Sequence, residues 1–343
     1  MTYEEMYNGR LRIYSMDMVD AQDTFANDVQ KGLAAIPKAL PAKYFYDADG
    51  STLYEQICAL PEYYPYRAEG EILATFGAEI HAEIGHLPLI ELGPGNAAKT
   101  RHLLVHYEQA GIDFVYCPVE IERTIMLRTA EQLLSDYPHL SIAALHADFA
   151  QHPEVVQRLC LNVKAVAFLG SSMGNFTARE SAIFLRRMRD MMGADDAFLL
   201  GIDLKKSTRL LLPAYDDAQG VTAAFNLNLL QRINRELGGD FDLRYFEHVA
   251  LYNAACGRIE MHLRSVRTQQ VTIANLAQSV RFAAGETIHT ENSYKYSLDD
   301  IQAMGDKAGF QLDKTWYDKQ GYFLVALFRP KPSSAQFSPA NRG

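Results

Sequence analysis

A glycine-rich turn follows a short apolar run and could hold a small ligand. The stretch reads IELGPGNAAKT (90–100), and a glycine turn between a strand and a helix lets a ligand approach the backbone and the free helix N–H groups. The dinucleotide fingerprint needs a third glycine where this chain has Ala98, and the P-loop motif is also not matched. An E-x-G-x-G turn without a phosphate motif favours S-adenosylmethionine, with Gly93, Gly95 and Lys99 as candidate contacts. An ordinary glycine turn is the alternative.

Acidic residues follow the next two apolar runs of the chain. The first run ends in PVEIE and places Glu120 about 25 residues after the glycine turn, where a carboxylate can accept hydrogen bonds from ribose hydroxyls. We prefer Glu120 to Glu122 for this role. The second run is followed by Asp148, which could accept a hydrogen bond from the adenine amino group, and by Phe149, which could flank the ring. A single acid at a strand end is often only a helix cap, so the prediction depends on three such features at successive strand ends.

Short apolar runs alternate with helical patterns and would position these residues. The runs are LPLIEL (87–92), DFVYCPV (113–119), LSIAAL (140–145), VKAVAFLG (163–170) and DAFLLGID (196–203). Runs of this kind are typical of parallel strands buried on both faces. Two further runs, GFQLDKTWYD (309–318) and GYFLVALF (321–328), predict a closing hairpin. We expect an α/β fold with a doubly wound sheet and a terminal antiparallel hairpin, which resembles the Rossmann-like sheet of class I methyltransferases.

The chain is longer than this sheet requires and predicts a second lobe. The segment between the fifth strand and the hairpin is too long for a βα connection, and the aromatic segment before the first strand is also not explained by the sheet. We expect residues 68–203 and 297–331 to form the S-adenosylmethionine-binding domain and residues 17–67 and 204–296 to form a substrate-binding lobe. Residues 332–343 read as a flexible tail.

The composition restricts the classes of partner. The 343 residues are 48% apolar and 22% charged, and the formal net charge of −9 argues against a broad nucleic-acid or anionic-membrane surface. The chain has no signal-peptide pattern and no apolar run long enough to span a bilayer. We therefore expect a cytoplasmic, monomeric protein with a small-molecule substrate, no nucleic-acid or membrane partner and no metal. The cysteines form no C-x-x-C pair, which fits a reducing compartment; they are Cys58, Cys117, Cys160 and Cys256.

Several longer motifs go beyond the generic fold. They are PKALPAKYFYD (37–47), LPEYYPYR (60–67), FLGSSMGNFT (168–177), AYDDAQGVTAAFN (214–226), RIEMHLRS (258–265) and TENSYKY (290–296). Together they resemble the histidine-specific Nα-methyltransferases of ergothioneine biosynthesis, which use S-adenosylmethionine to convert histidine to its trimethylammonium betaine, hercynine. The resemblance covers nearly the whole chain except the first dozen residues and the C-terminal tail.

The resemblance implies roles for four polar residues around the acceptor. Asn175 and Tyr215 match residues that hold the substrate carboxylate, and Glu291 and Ser293 match a Glu-x-Ser pair that recognises the imidazole. The chemistry is suitable, because a neutral imidazole has one donor and one acceptor nitrogen and residues two apart in a strand face the same side. The alternatives are a helix cap at Asn175 and a solvated surface loop at Glu291 and Ser293.

Other positions are implied to border the reacting groups. Tyr46 and Tyr63 match tyrosines beside the substrate and are our candidate catalytic residues, Met261 matches a residue beside the imidazole, and Gly170 matches a backbone position near the donor and the amine. An aromatic wall would attract the increasingly methylated cation. The wall could draw on a cluster of seven rings, of which we expect about five to be core and only Tyr46 and Tyr63 to line the pocket; the cluster is Tyr44, Phe45, Tyr46, Tyr54, Tyr63, Tyr64 and Tyr66.

The sequence departs from the family pattern at three places and leaves rival functions open. The turn reads GPGN where some relatives have Ser or Thr, Glu120 stands where Asp is common, and Asn292 is the middle residue of Glu-x-Ser. One rival is the same fold acting on another amine such as tryptophan or a prenylated tryptophan, which Glu291 disfavours because an indole has no second ring acceptor. The other is a catalytically silent S-adenosylmethionine-binding regulator. An RNA substrate would need a basic strip that the chain lacks.

Overall fold

The computed structural model describes residues 2–15, 21–149, 159 and 161–332. Residues 17–20 of the predicted substrate lobe, Cys160 and residues 333–343 of the predicted tail lie outside this description. The strands are β1 (Thr2–Met6), β2 (Leu11–Ser15), β3 (Lys38–Ala39), β4 (Leu89–Leu92), β5 (Phe114–Glu120), β6 (Leu140–His146), β7 (Ala165–Phe168), β8 (Ala197–Asp203), β9 (Phe246–Asn253), β10 (Arg258–Ser265), β11 (Gln269–Ile273), β12 (Gln278–Phe282), β13 (Thr287–Tyr294), β14 (Phe310–Tyr317) and β15 (Phe323–Pro330). The α-helices are α1 (Ala21–Ala34), α2 (Ala48–Ala59), α3 (Tyr64–Ile84), α4 (Arg101–Gln109), α5 (Arg123–Asp136), α6 (Ala178–Asp190), α7 (Thr208–Leu211), α8 (Val221–Leu237) and α9 (Leu298–Ala308).

The largest sheet has the strand order β1-β2-β6-β5-β4-β7-β8-β15-β14. Strands β4 to β8 are parallel, whereas β15 runs antiparallel to both β8 and β14. Strands β4, β7 and β8 are buried along their whole length, which explains why they read as continuous apolar runs. The strand order reverses at β4, so the switch point where ligands bind lies at the glycine turn. The predicted doubly wound α/β sheet with a terminal antiparallel hairpin is confirmed.

The first residues of the chain extend this sheet by two strands that have no counterpart among the predicted apolar runs. Strands β1 and β2 form an antiparallel hairpin, and β2 pairs in parallel with β6. Leu11 and Ile13 are fully buried by this pairing. The side chain of Arg10 donates to the carbonyl oxygens of Tyr137 and Leu140 at 2.6 and 2.9 Å. The hairpin therefore closes the edge of the sheet beside β6.

A second, smaller sheet lies beside the first. Strands β3, β13, β10 and β9 are neighbours in that order, and β11 pairs with β12 in a separate hairpin. One apolar core takes its residues from 25–64 and 211–288, while two others lie on the opposite faces of the large sheet. The division into two lobes stays a prediction, and helix α3 runs across its boundary at residue 67.

Two further observations concern the cysteines and the helices. Within the described residues, Cys58, Cys117 and Cys256 are free thiols. None of the described helices combines the length and the apolar character needed to cross a bilayer.

Candidate active site

A cleft of about 1040 Å³ lies at the carboxyl ends of the parallel strands. Gly93 and Gly95, in the turn after β4, have φ angles of 65° and 57°, a region that favours glycine. A side chain at Gly93 would also approach the Phe149 ring to 3.2 Å. The cleft is lined by all seven residues predicted to contact the donor, which are Gly93, Gly95, Lys99, Glu120, Asp148, Phe149 and Gly170.

Glu120 is fixed beside the glycine turn by backbone hydrogen bonds. Its carboxylate accepts from Gly95 N at 3.1 Å and from Ile121 N at 2.8 Å. Burial raises the pKa of Glu120, and these N–H donors oppose the rise. Glu122 instead caps helix α5, since its side chain accepts from the backbone N–H groups of the first turn at 2.6 and 2.9 Å. Both acids line the cleft, and the preference for Glu120 as the ribose partner stays a prediction.

A buried ion pair supports the floor of the cleft and was not predicted. Glu69 of α3 is fully buried, pairs with Lys99 and accepts from Gly170 N at 2.8 and 2.9 Å. A Cβ at Gly201 would lie 1.9 Å from a Glu69 oxygen, so β8 needs glycine there to admit the carboxylate. Burial disfavours the charge of Lys99, but the attraction of Glu69 outweighs it and raises the pKa of Lys99. Lys99 is therefore a cation held beside Gly170.

A small inner cavity of about 50 Å³ adjoins the cleft. Gly170, Asn175 and Glu291 line both spaces, so a ligand can extend from one to the other. The inner cavity brings together every residue predicted to contact the acceptor, which are Tyr46, Tyr63, Asn175, Tyr215, Met261, Glu291 and Ser293.

Strand β13 carries Glu291 and Ser293 to this cavity. They lie within the strand rather than in a surface loop, and Met261 of β10 pairs with Glu291 across the ladder. Residues that pair directly in an antiparallel ladder share one face. Burial raises the pKa of Glu291 to about 7, although Lys295 acts in the opposite direction. A carboxyl and a hydroxyl group therefore face the inner cavity side by side.

A buried lysine links the polar residues of the cavity and was missed in the sequence. Lys295 is only 2% exposed, and its ammonium contacts Asp203 at 2.6 Å, the Tyr215 hydroxyl at 2.7 Å and the Ser293 hydroxyl at 2.8 Å. The Tyr215 and Ser293 hydroxyls are 2.7 Å apart. Asp203 ends β8, and Lys295 follows Ser293 by two residues. In TENSYKY, Glu291, Ser293 and Lys295 follow one another at intervals of two residues, which places them on one side of an extended chain. This spacing could have identified Lys295 as a third residue of the site.

Asn175 does not cap the following helix. Thr177 caps α6 through a capping box with Glu180, so the alternative reading of Asn175 is wrong. Asn175 ends a short 3-10 helix, Ser172–Asn175, whose side lies against β13. Its amide is thus carried to the border of the two cavities.

The aromatic wall is wider than the two rings predicted. Tyr54 lines both cavities and Tyr66 lines the cleft, in addition to Tyr46 and Tyr63. The Tyr46 and Tyr54 rings lie 5.5 Å apart, and Tyr63 lies 6.1 Å from Tyr215. Burial raises the pKa values of Tyr46 and Tyr63 well above 10, so both remain neutral hydroxyls at physiological pH.

One group of described residues has side chains close enough to share a metal. Glu260 and His262 lie on the face of β10 opposite to Met261, and a bulge between Met261 and His262 pairs His289 with His262, so that His289 shares their face although it precedes Glu291 by only two residues. Arg258 approaches the Glu260 carboxylate to 2.6 Å. Burial opposes ionisation, yet hydrogen bonds from Asn253, Arg258 and His262 lower the pKa of Glu260 to about 2. This carboxylate is therefore already paired, and the absence of a metal from the methyl-transfer site stays a prediction.

The sequence of this chain matches a known protein family and several characterised relatives. The profile of a family described as "Histidine-specific methyltransferase, SAM-dependent" matches residues 25–330. The chain is 44% identical to the histidine N-alpha-methyltransferase of Mycolicibacterium smegmatis over 90% of this chain and 95% of the relative, and 41% identical to that of Mycobacterium tuberculosis over 88% and 93%. It is 27% identical to the 4-dimethylallyltryptophan N-methyltransferase easF of Claviceps fusiformis over 86% and 89%. The chain therefore belongs to the family of histidine-specific, S-adenosylmethionine-dependent methyltransferases.

Proposed function

We propose that this protein methylates the α-amino group of L-histidine three times with S-adenosylmethionine and forms hercynine, the first step toward ergothioneine. The observation that carries the proposal is the meeting of the cleft with an inner cavity that holds Glu291 and Ser293. We further propose that the protein acts as a cytoplasmic monomer. In this proposal residues 68–203 and 297–331 bind the donor, and residues 17–67 and 204–296 supply most of the acceptor site.

The cleft suits a donor that carries ribose, adenine and an amino-acid part. Glu120 would accept from the ribose hydroxyls, Asp148 and Phe149 would hold the adenine, and the turn at Gly93 and Gly95 would lie against the methionine part. Lys99 is paired with Glu69, so its charge would act on the donor from beside Gly170. When bound, S-adenosylmethionine supplies an electrophilic methyl group and leaves as the neutral thioether.

The inner cavity offers partners for each polar group of histidine. The Asn175 amide can donate to the carboxylate, and Tyr215, whose hydroxyl is hydrogen-bonded to Ser293, is the second residue proposed for that end of the substrate. Glu291 can accept from the ring N–H, and the hydroxyl of Ser293 can donate to the second ring nitrogen. Burial raises the pKa of Glu291 to about 7, because its charged form lacks solvation. A ligand that donates a hydrogen bond to this carboxylate would supply the missing stabilisation. Binding at all these points directs the α-amino group toward the cleft at Gly170.

The residues around the amine hold it for in-line attack. The α-amino nitrogen must lose a proton before its lone pair forms each new N–C bond. Tyr46 and Tyr63 can accept a hydrogen bond from the neutral amine, but their raised pKa values exclude tyrosinate at physiological pH. No tyrosinate is therefore available to take the proton that the amine loses before each transfer. The rings of Tyr46, Tyr54 and Tyr63 give the methylated cation an aromatic surface, worth about 0.5 to 2 kcal/mol per ring.

The inner cavity also separates histidine from the tryptophan-derived alternative. An indole has one N–H for Glu291 but no second ring acceptor, so the free O–H of the hydrogen-bonded Tyr215 and Ser293 hydroxyls would have no acceptor. A buried polar group without a partner costs about 1–3 kcal/mol. Histidine satisfies both groups and is the acceptor that the cavity favours.

The proposal is tested by incubating the purified protein with L-histidine and S-adenosylmethionine and following the products by mass spectrometry. We expect species with one, two and three added methyl groups, and three molecules of S-adenosylhomocysteine for each hercynine. Donor turnover without methylated histidine would contradict the proposal. Binding of the donor without any turnover would favour the silent regulator.

A further inference from the structure

Lys295 has a complete and unusual set of partners. Its side chain is buried, and three oxygen atoms lie within hydrogen-bond distance of Nζ: Asp203 Oδ2 at 2.6 Å, Tyr215 Oη at 2.7 Å and Ser293 Oγ at 2.8 Å. An ammonium group has three N–H donors and no acceptor. Each donor therefore has one acceptor, and the direction of all three hydrogen bonds is determined.

This arrangement restricts the two hydroxyl groups. Tyr215 and Ser293 each accept a hydrogen bond from Lys295, and a further hydrogen bond of 2.7 Å joins them. One of the two hydroxyls donates its proton in that hydrogen bond, and the proton of the other hydroxyl is free to bind a ligand. The pair thus presents one O–H donor to the inner cavity, whichever of the two carries it.

We propose that Lys295 is a positioning residue that makes the Tyr215–Ser293 pair a hydrogen-bond donor and thereby selects the neutral form of the substrate imidazole. The inference rests on the proposed function. Neutral imidazole offers an N–H to Glu291 and an unprotonated nitrogen to the hydroxyl pair. An imidazolium carries N–H groups at both nitrogens, so one of them would meet the hydroxyl proton unless the hydrogen bond between Tyr215 and Ser293 were broken.

Asp203 holds Lys295 in this position and makes its removal tolerable. Asp203 also pairs with Lys206 and accepts from the Tyr64 hydroxyl at 2.7 and 2.9 Å. Replacement of Lys295 therefore leaves Asp203 with a cation and a hydroxyl donor. Lys206 contacts Tyr64 and Asp203 but neither cavity hydroxyl, so Lys206→Met is a matched control.

The test is the protonation state of bound histidine. Ring-labelled [¹⁵N]histidine is bound at pH 7 in the presence of S-adenosylhomocysteine, which prevents turnover, and its ¹⁵N shifts are measured. The wild-type protein is expected to hold one pyridine-type nitrogen and one N–H in a single tautomer. In Lys295→Met we expect mixed tautomers or imidazolium, and histidine binding weaker by about tenfold to a hundredfold in calorimetry, with S-adenosylhomocysteine affinity unchanged. Lys206→Met is expected to keep the wild-type shifts.

The outcomes separate the inference from the proposed function. Imidazolium bound to the wild-type protein, or identical shifts and affinity in Lys295→Met, would overturn the role of Lys295. The wild-type spectrum alone shows whether the bound imidazole is neutral or protonated, so the inference remains testable even if Lys295→Met fails to fold. A wild-type protein that does not bind histidine at all would instead contradict the proposed function.

Discussion

Replacement of Glu291 by glutamine is expected to stabilise the ligand-free protein above pH 7 while weakening histidine binding. Burial raises the pKa of Glu291 from 4.5 to about 7. Between these values the unfolded chain has already released the proton that the folded protein retains, so the stability of the fold decreases as pH rises through this window. At 1.36 kcal/mol per unit, the cost reaches about 3 kcal/mol above pH 7. This is an upper value, because the side chain lines the cleft.

Glutamine keeps the shape of Glu291 without titrating. The free energy of unfolding is measured in urea at pH 5 and pH 8 for the wild-type protein and Glu291→Gln. We expect the gain in the variant to be larger at pH 8 by about 2 kcal/mol. Calorimetry at pH 8 should show weaker histidine binding, because the amide cannot replace the charge that accepts the ring N–H.

Glu260→Gln is the matched control and should have the opposite sign. The pKa of Glu260 is lowered to about 2, so its carboxylate stabilises the fold above pH 4.5 and loses this effect only as pH falls toward 2. The variant should therefore be less stable than the wild type at both pH 5 and pH 8. A gain in Glu291→Gln that is equal at the two pH values, or a loss at pH 8, would refute the reasoning.

Three further substitutions test the cleft. Lys99→Met leaves Glu69 buried without its cation, and the free energy of unfolding in urea should fall by about 3–5 kcal/mol; a loss below about 1 kcal/mol would be incompatible with a buried pair. Glu120→Ala should weaken S-adenosylmethionine binding about tenfold in calorimetry without changing histidine affinity, and an unchanged donor affinity would remove Glu120 from the donor site. Tyr46→Phe should lower kcat about tenfold at saturating histidine with donor affinity unchanged, and an equal kcat would show that the hydroxyl is dispensable.

The fold could be predicted because its signals are local, whereas the meeting of the acceptor-site residues was implied by the resemblance to the histidine-specific methyltransferases. The buried parallel strands read as continuous apolar runs, and the reversal of strand order follows once β4 is identified by its glycine turn. Glu291 and Ser293 lie two residues apart, so a strand is sufficient to bring them to one face. Their roles toward a ligand remain proposals.

The residues that were missed depend on contacts distant in sequence. Lys295 in SYKY reads as a solvated cation until β8 brings Asp203 beside it, and Glu69 reads as an exposed helical acid until Lys99 and Gly170 close over it. The N-terminal hairpin was missed for the same reason. Its two strands have only five residues each, and the burial of Leu11 and Ile13 depends on the pairing of β2 with the distant strand β6.

The central claim is that the inner cavity selects histidine. The most direct measurement is mass spectrometry of the purified protein incubated with S-adenosylmethionine and an equimolar mixture of the twenty amino acids. We predict that histidine alone gains methyl groups and accumulates as the trimethylated product. Methylated tryptophan or tyrosine, with histidine unchanged, would contradict the assignment of Glu291 and Ser293 while leaving the donor cleft intact.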